Sequence, residues 1–289
     1  MENAGKKTNL ASLMSKLERV SYPRSSAEKA KNHGTQIAVL LDPHHGLNDL
    51  IHRTLRCVGE PEKRFSEDAL RVIRGLRFVN ILNQRLPDIQ QQNSGFDIEK
   101  ATRKGMEKCA SLVKNLAKER LHQELVKVFQ GNNPFGYIAL LRELTLLETI
   151  FPALHACIDN RQPIRYHPFD TYNHTILTLW YLQEVSISHT SSNYLVKLAM
   201  LYHDVGKPEQ YAFMEKAFAK NPDNPDRTGY EHHAEISVRL AKHDFKHLAF
   251  SSKEIEIICR YIQQHHRPGE ILDAKVGNRE KKLRKLLSE

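Results

Sequence analysis

Beyond residue 65 the apolar residues recur at helical spacing, and no stretch alternates apolar and polar residues as a strand would. Leu70, Ile73 and Leu76 form one stripe, with Ser66 placed to cap that helix and Glu67 and Asp68 in its first turn, where negative charge suits the helix dipole. A polar stretch, Asn83 to Glu99, separates it from a long predicted helix, Met106 to Phe129, with Leu112, Leu116 and Leu125 inward. A shorter helix near Tyr137–Thr149 leads to Phe151-Pro152. The interval Asp159 to Pro168 holds two prolines and reads as a boundary. After it the pattern predicts helices at about 171–185, 194–204, 233–247 and 253–265, with Ser251 and Glu254 spaced as a capping box for the last. Asn221 to Gly229 is polar with two prolines and reads as a loop. Residues 1–41 are weakly patterned, and Asp42-Pro43-His44-His45-Gly46 is a turn-like break. The expected fold is all-α, in three parts: a remnant (1–41), a helical segment (42–158) and a helical bundle (159–289).

Composition adds little until charge and histidine are counted. Hydrophobic residues at 40% and charged residues at 27% are the balance of a soluble globular chain. A net charge of +9 favours an anionic partner, with nucleic acid or nucleotide phosphate the natural candidate, although solvated surface lysines give the same total. Cys57, Cys109, Cys157 and Cys259 form no C-x-x-C pair and read as reduced cysteines of a cytoplasmic protein. Ile37 to Leu41 is too short an apolar run for a membrane span, so no membrane partner is expected. The sixteen histidines fall disproportionately after residue 155 and invite a search for ligands there.

Asn193 to Pro208 reads NYLVKLAMLYHDVGKP. Leu195, Leu198 and Leu201 bury one face, and Gly206-Lys207-Pro208 must end the helix, which puts His203 and Asp204 in its last turn. Adjacent helical residues diverge by about 100°, so the pair flanks a metal rather than sharing a face, and the carboxylate is free to bridge two ions. His174 lies among Ile176, Leu177 and Leu179, where a single histidine is more often a packed core residue than a ligand. Taken together, however, His174, His203, His233 and His265 sit on four predicted helices near one level. Such a His/carboxylate set suits a divalent ion: Mn, Fe, Co, Ni or Zn, with Mg possible.

The pattern H-x(28)-H-D-x-G-K-P resembles the HD superfamily of metal-dependent phosphohydrolases. That resemblance implies metal ligation by His174, His203 and Asp204, with His233 and His265 as extra ligands. His203, Asp204 and Lys207 then form the catalytic set, Lys207 placed to neutralise phosphate. The family's final Asp has no counterpart before Glu289, since Asp273 falls in a loop too early for it. His189, His243 and His247 read as surface residues, and His232 and His266 as mere neighbours of the ligands.

In the first half, Glu67 and Arg71 make a favourable i,i+4 pair, and Arg71, Arg74 and Arg77 step around one side of the helix. A solvated charged face is the usual meaning of such a pattern. Its surroundings are more specific. Asp42-Pro43-x-x-Gly46-Leu47-x-Asp49-Leu50, Arg56-x-Val58-Gly59, Arg64-Phe65-x-Glu67-Asp68-Ala69-Leu70-Arg71 and Arg77-Phe78 resemble the neck of the tRNA nucleotidyltransferase/poly(A) polymerase family. Glu119-Arg120, Glu124-Leu125 and Leu147 to Pro152 resemble its following motif and body. An HD domain often follows in bacterial members.

This resemblance makes residues 42–158 a neck and body, with 159–289 the HD domain. It implies that Asp68 and Arg71 select CTP or ATP by its base edge, that Arg74 meets phosphate, and that Asp42 opens a hinge. Residues 1–41 carry no aspartate and no paired glycines, so the polymerase head with its two-carboxylate magnesium site is not expected there. The expected partners are a tRNA 3′ end, ATP or CTP, and a separate chain bearing the head. The expected function is a headless tRNA nucleotidyltransferase-like protein serving CCA addition or repair. The alternative is a stand-alone divalent-metal phosphohydrolase acting on phosphomonoesters or 2′,3′-cyclic phosphates.

Overall fold

The computed structural model describes residues 41–84, 95–160, 169–184, 193–211, 232–267 and 278. His189, Asp273, the loop 221–229 and most of the N-terminal segment lie outside these residues. The chain divides into two compact units, Met1–Gly46 and Leu47–Glu289. In the first, the Gly46 amide donates to Asp42 Oδ1 at 2.7 Å, closing the turn expected there.

Among its described residues the second unit is all-α apart from a short parallel pairing of β1 (Thr54–Leu55) with β2 (Asp97–Ile98). The helices of the expected neck and body are α1 (Gly46–Ile51, which begins at the unit boundary), α2 (Pro61–Glu67), α3 (Leu70–Gln84), α4 (Lys100–Cys109), α5 (Lys118–Gln130), α6 (Pro134–Glu143), α7 (Leu147–Ile150) and α8 (Pro152–His155). The HD-type bundle follows: α9 (Thr171–Glu184), α10 (Asn193–Tyr202), α11 (His233–His247) and α12 (Ser252–Gln264). None of the described helices is long and apolar enough to cross a membrane.

The bundle boundaries fall close to those read from apolar periodicity, and Ser251 and Glu254 form the reciprocal capping box. The neck differs. Ser66 is not a cap; it lies inside α2, its hydroxyl donating to the Lys63 carbonyl at 2.9 Å. The break comes at Asp68, whose extended backbone ends α2 and whose Oδ1 accepts the Leu70 amide at 3.1 Å. The single helix expected over Met106–Phe129 is divided. A 3-10 turn, Ala110–Asn115, follows α4, and Leu116 and Ala117 are extended before α5. The break turns Val113 and then Leu121 and Leu125 into one core, which a straight helix cannot do. Thr145, at φ 55°, likewise separates α6 from α7.

A run of edge-to-face and tilted aromatic contacts ties body to bundle. Phe129 meets Phe151 at 6.3 Å between centroids, Phe151 meets Tyr202 at 6.1 Å, and Tyr202 meets Phe245 at 4.6 Å. Asp244, buried on α11, accepts the Tyr202 hydroxyl at 2.9 Å and the Ala153 amide at 3.3 Å. Tyr202 directly precedes His203-Asp204, so this junction fixes where that pair stands.

Arg77 corrects a further expectation. It does not share an exposed stripe with Arg71 and Arg74 but is buried, its Nε donating to Glu124 Oε2 at 2.6 Å. Lys127 donates to the other oxygen at 2.9 Å. Burial would raise the Glu124 carboxyl, but Lys127 and Arg77 outweigh it and hold the group below its ordinary value. Arg77→Met is therefore expected to cost about 3 kcal/mol in urea unfolding, because it leaves a buried carboxylate with only the half-exposed Lys127 ammonium against it. A carboxylate with a depressed folded-state pKa stabilises at neutral pH, and that contribution is lost as pH falls through the folded-state value. The gap between wild type and variant should thus narrow in acid. A gap that is small at neutral pH, or widens in acid, would sink this account.

Candidate metal centre

α9 starts at Asp170, whose Oδ1 accepts the Asn173 amide at 2.6 Å; the cap fixes the first turn and with it His174. α10 ends at Tyr202, so His203 and Asp204 lie in the turn just beyond it, not in its last turn as the sequence suggested. That turn is pinned by the Lys207 amide to the Asp204 carbonyl at 3.0 Å and by the Gly206 amide to Ser237 Oγ at 2.8 Å. His233 begins α11, and His265 caps the C-terminal end of α12.

These elements converge on Asp204, which is 2% exposed. Its Oδ2 faces His203 Nε2 at 3.1 Å, His174 Nε2 at 3.4 Å and Lys207 Nζ at 2.7 Å. Its Oδ1 faces His233 Nε2 at 3.2 Å and His265 Nε2 at 3.7 Å, yet makes no hydrogen bond of normal geometry. Burial would raise this carboxyl, but His203, His233 and Lys207 together outweigh it and hold it well below the usual carboxylate range.

Two sets of potential ligand atoms result: His174, His203 and Asp204 on one side, and His233, His265 and His266 on the other, each set within 4.8 Å. Imidazole nitrogens approach at 3.4 Å (His203–His174), 3.2 Å (His233–His265) and 3.0 Å (His266–His233). Adjacent ligands around an ion with bonds of about 2.1 Å stand roughly 2.9–3.4 Å apart, so the spacing matches a shared cation. The tautomers agree. His203 Nδ1 meets the Met200 carbonyl at 2.7 Å and His265 Nδ1 meets the Ile262 carbonyl at 2.6 Å. A carbonyl only accepts, so Nδ1 carries the proton and Nε2 presents its lone pair to the centre. Burial pushes His265 down to about 4, which keeps it an unprotonated donor at neutral pH.

The residues present therefore fit a divalent ion. Every histidine expected as a ligand reaches the centre, and His266 joins them although the sequence reading set it aside. Its signal was the adjacent His-His pair at a helix end. Ser237, Tyr202 and Asp244 also support the site and carried no signal in the sequence, since their roles depend on packing between elements.

The neck residues behave differently. Arg71 and Arg74 line a pocket of about 210 Å³ with Arg56, Arg64, Cys57 and Phe78. Arg71 also donates to the Arg64 carbonyl at 2.7 Å and pairs with Glu67 at 3.0 Å. Asp68 is not on that wall; its Oδ2 takes Arg120 Nη2 at 2.8 Å, an attachment that lowers its pKa. The structure thus groups Arg71 with Arg74 and couples Asp68 to the Glu119-Arg120 motif.

Residues 95–158 match the family described as the probable RNA and SrmB-binding site of polymerase A, and residues 171–288 match the HD domain. The chain is 28% identical over 232 residues to the multifunctional CCA protein of Mannheimia succiniciproducens, covering 80% of this chain and 51% of that one. It is 30% identical over 230 residues to the multifunctional CCA protein of Psychromonas ingrahamii, covering 78% and 49%. A solved tRNA-processing enzyme in an apo form aligns with 90% of this chain and 70% of its own, at 17% identity and a TM-score of 0.42. Fold and site define the class: a helical polymerase-A-type body joined to an HD domain with a histidine–aspartate centre. In these two matched segments and in its relatives the chain is similar to CCA-adding enzymes that carry an HD domain. It spans about half the length of the curated relatives it matches.

Proposed function

We propose that this chain is a divalent-metal phosphohydrolase of RNA 3′ ends, built on a tRNA-binding neck and body. The observation that carries the reading is the buried Asp204 carboxylate with imidazole nitrogens facing both of its oxygens. His174, His203 and Asp204 would hold one cation, and His233, His265 and His266 another. When bound, such ions lower the pKa of a coordinated water to near neutrality and act as Lewis acids toward a phosphoryl oxygen.

The protein's own groups do the rest. Asp204 spans the two histidine sets and fixes their separation. Lys207, buried and 2.7 Å from Asp204 Oδ2, balances the carboxylate's charge, and its ammonium would be placed to neutralise a bound phosphate. The Nδ1–H donors of His203 and His265, tied to backbone carbonyls, hold both rings in the ligand orientation.

The neck pocket favours a second role in the same setting. Arg71 and Arg74 would receive a nucleotide, ATP or CTP, and the body would hold the tRNA 3′ end, with a polymerase head supplied by a separate chain for CCA addition or repair.

The test is hydrolysis of 2′,3′-cyclic AMP and of a phosphomonoester by metal-loaded protein, before and after EDTA, with Mg, Mn, Ni, Co, Fe or Zn restored singly. We expect turnover to vanish with chelation and return with at least one ion. Turnover indifferent to EDTA, or none with any metal, would end the hydrolase reading.

A further inference from the structure

α11 and α12 enclose a second feature, on their solvent side. A groove of about 630 Å³ runs between them, floored by Val238, Ile255 and Cys259. Lys242 and Lys246 line one wall, one helical turn and so about 6 Å apart along the axis. Arg260, Gln263 and Gln264 line the other, with Glu256 the carboxylate among them. Among the described lining residues, three cations against one anion leave the groove basic.

Its position matters as much as its charge. Gln264 directly precedes the His265-His266 pair. Gln263 and His266 are three residues apart, about 60° from one another around the axis at the end of α12, and both are exposed. The groove thus ends beside the exposed edge of the histidine centre.

We propose that this groove is a track for a single-stranded RNA backbone whose terminal phosphate lies in the histidine–aspartate centre. The inference rests on the hydrolase reading above and adds the surface that holds the strand upstream of the reacting phosphate, so that an oligonucleotide is preferred to a free nucleotide. Lys242, Lys246 and Arg260 neutralise phosphates upstream of the reacting one. Gln263 and Gln264 offer amide donors and acceptors to sugar hydroxyls or base edges. The apolar floor accepts the face of a base. A concave, amide-lined groove gives a bilayer no apolar residue to insert, which disfavours an anionic membrane as the occupant.

Two measurements on the full chain test this. The first compares a six-nucleotide RNA ending in a 2′,3′-cyclic phosphate with 2′,3′-cyclic AMP, for wild type and for the Lys242→Glu, Lys246→Glu, Arg260→Glu variant. The variant should raise KM for the oligonucleotide about tenfold or more at low salt, with little change in kcat and none in kcat/KM for the mononucleotide; three lost phosphate contacts should also flatten the salt dependence by roughly two in the log–log slope. Equal effects on both substrates, or on neither, would overturn the track. The second is fluorescence anisotropy of the labelled oligonucleotide in EDTA, which needs no turnover and so separates failure of the track from failure of the hydrolase. Wild type should bind about tenfold more tightly than the variant, and a glutamine triple variant should fall between them. Unchanged affinity in a variant with wild-type thermal stability, or tighter binding to anionic vesicles than to RNA, refutes the proposal.

Discussion

Asp204→Ala should strip both histidine sets of their cations at once. Substitution of groups that merely orient metal ligands costs about 10–100-fold in affinity, so loss of the carboxylate whose two oxygens face both sets should exceed about 100-fold at each. The paired substitution His233→Ala with His265→Ala should instead reduce metal content only partly, leaving the ion on His174, His203 and Asp204. Metal analysis of dialysed proteins distinguishes the two patterns. The metal-free Asp204→Ala protein should also lose stability, since Lys207, 5% exposed, keeps its buried ammonium and loses the carboxylate beside it. Breaking one side of a buried pair costs about 3–5 kcal/mol. Retention of one full equivalent of metal by Asp204→Ala would show that the sets do not share this residue.

Gly206→Ala should disable the centre without touching a ligand. A Cβ at Gly206 would collide with the His233 carbonyl oxygen and would stand 2.8 Å from both Ile236 Cβ and the Ser237 amide nitrogen. Two of these obstacles are backbone atoms of the first turn of α11, which cannot rotate aside as a side chain can. The turn carrying His203-Asp204 and the helix carrying His233 must therefore separate, and the distance of 3.2 Å between His233 Nε2 and Asp204 Oδ1 must grow. Overpacking against side chains costs about 1–3 kcal/mol, and the upper end or beyond is expected against backbone. The readouts are a lowered Tm and loss of metal content together. A variant with wild-type metal stoichiometry and a Tm within about 2 °C of the parent would contradict the close approach. This contact also accounts physically for the glycine in the H-D-x-G-K-P pattern: it is there for space, since Gly206 does not need a left-handed backbone.

Much of the bundle was legible because its signals are local. The stripe Leu195, Leu198 and Leu201 and the Ser251–Glu254 box each act within a turn or two of chain. The neck was read less well. Asp68 looked like a first-turn acid, yet it ends one helix and caps the next. Nothing in Leu116-Ala117 signals a break, since both are good helix formers; the break exists because it lets successive segments bury their apolar faces in one core. Arg77 looked identical to Arg71 and Arg74 until Glu124, 47 residues away, was found against it.

By itself, then, the sequence determined that the chain is helical, that its later half gathers imidazoles and one carboxylate, and that its neck is arginine-rich. Periodicity and residue type suffice for those statements, because each depends on neighbours along the chain. The tertiary structure decided which nitrogen faces which oxygen, that His266 joins the ligand atoms, that Asp68 turns to Arg120 and that Arg77 is buried. Those outcomes depend on how side chains from distant helices share a small volume, and close packing resolves that only once every element is in place.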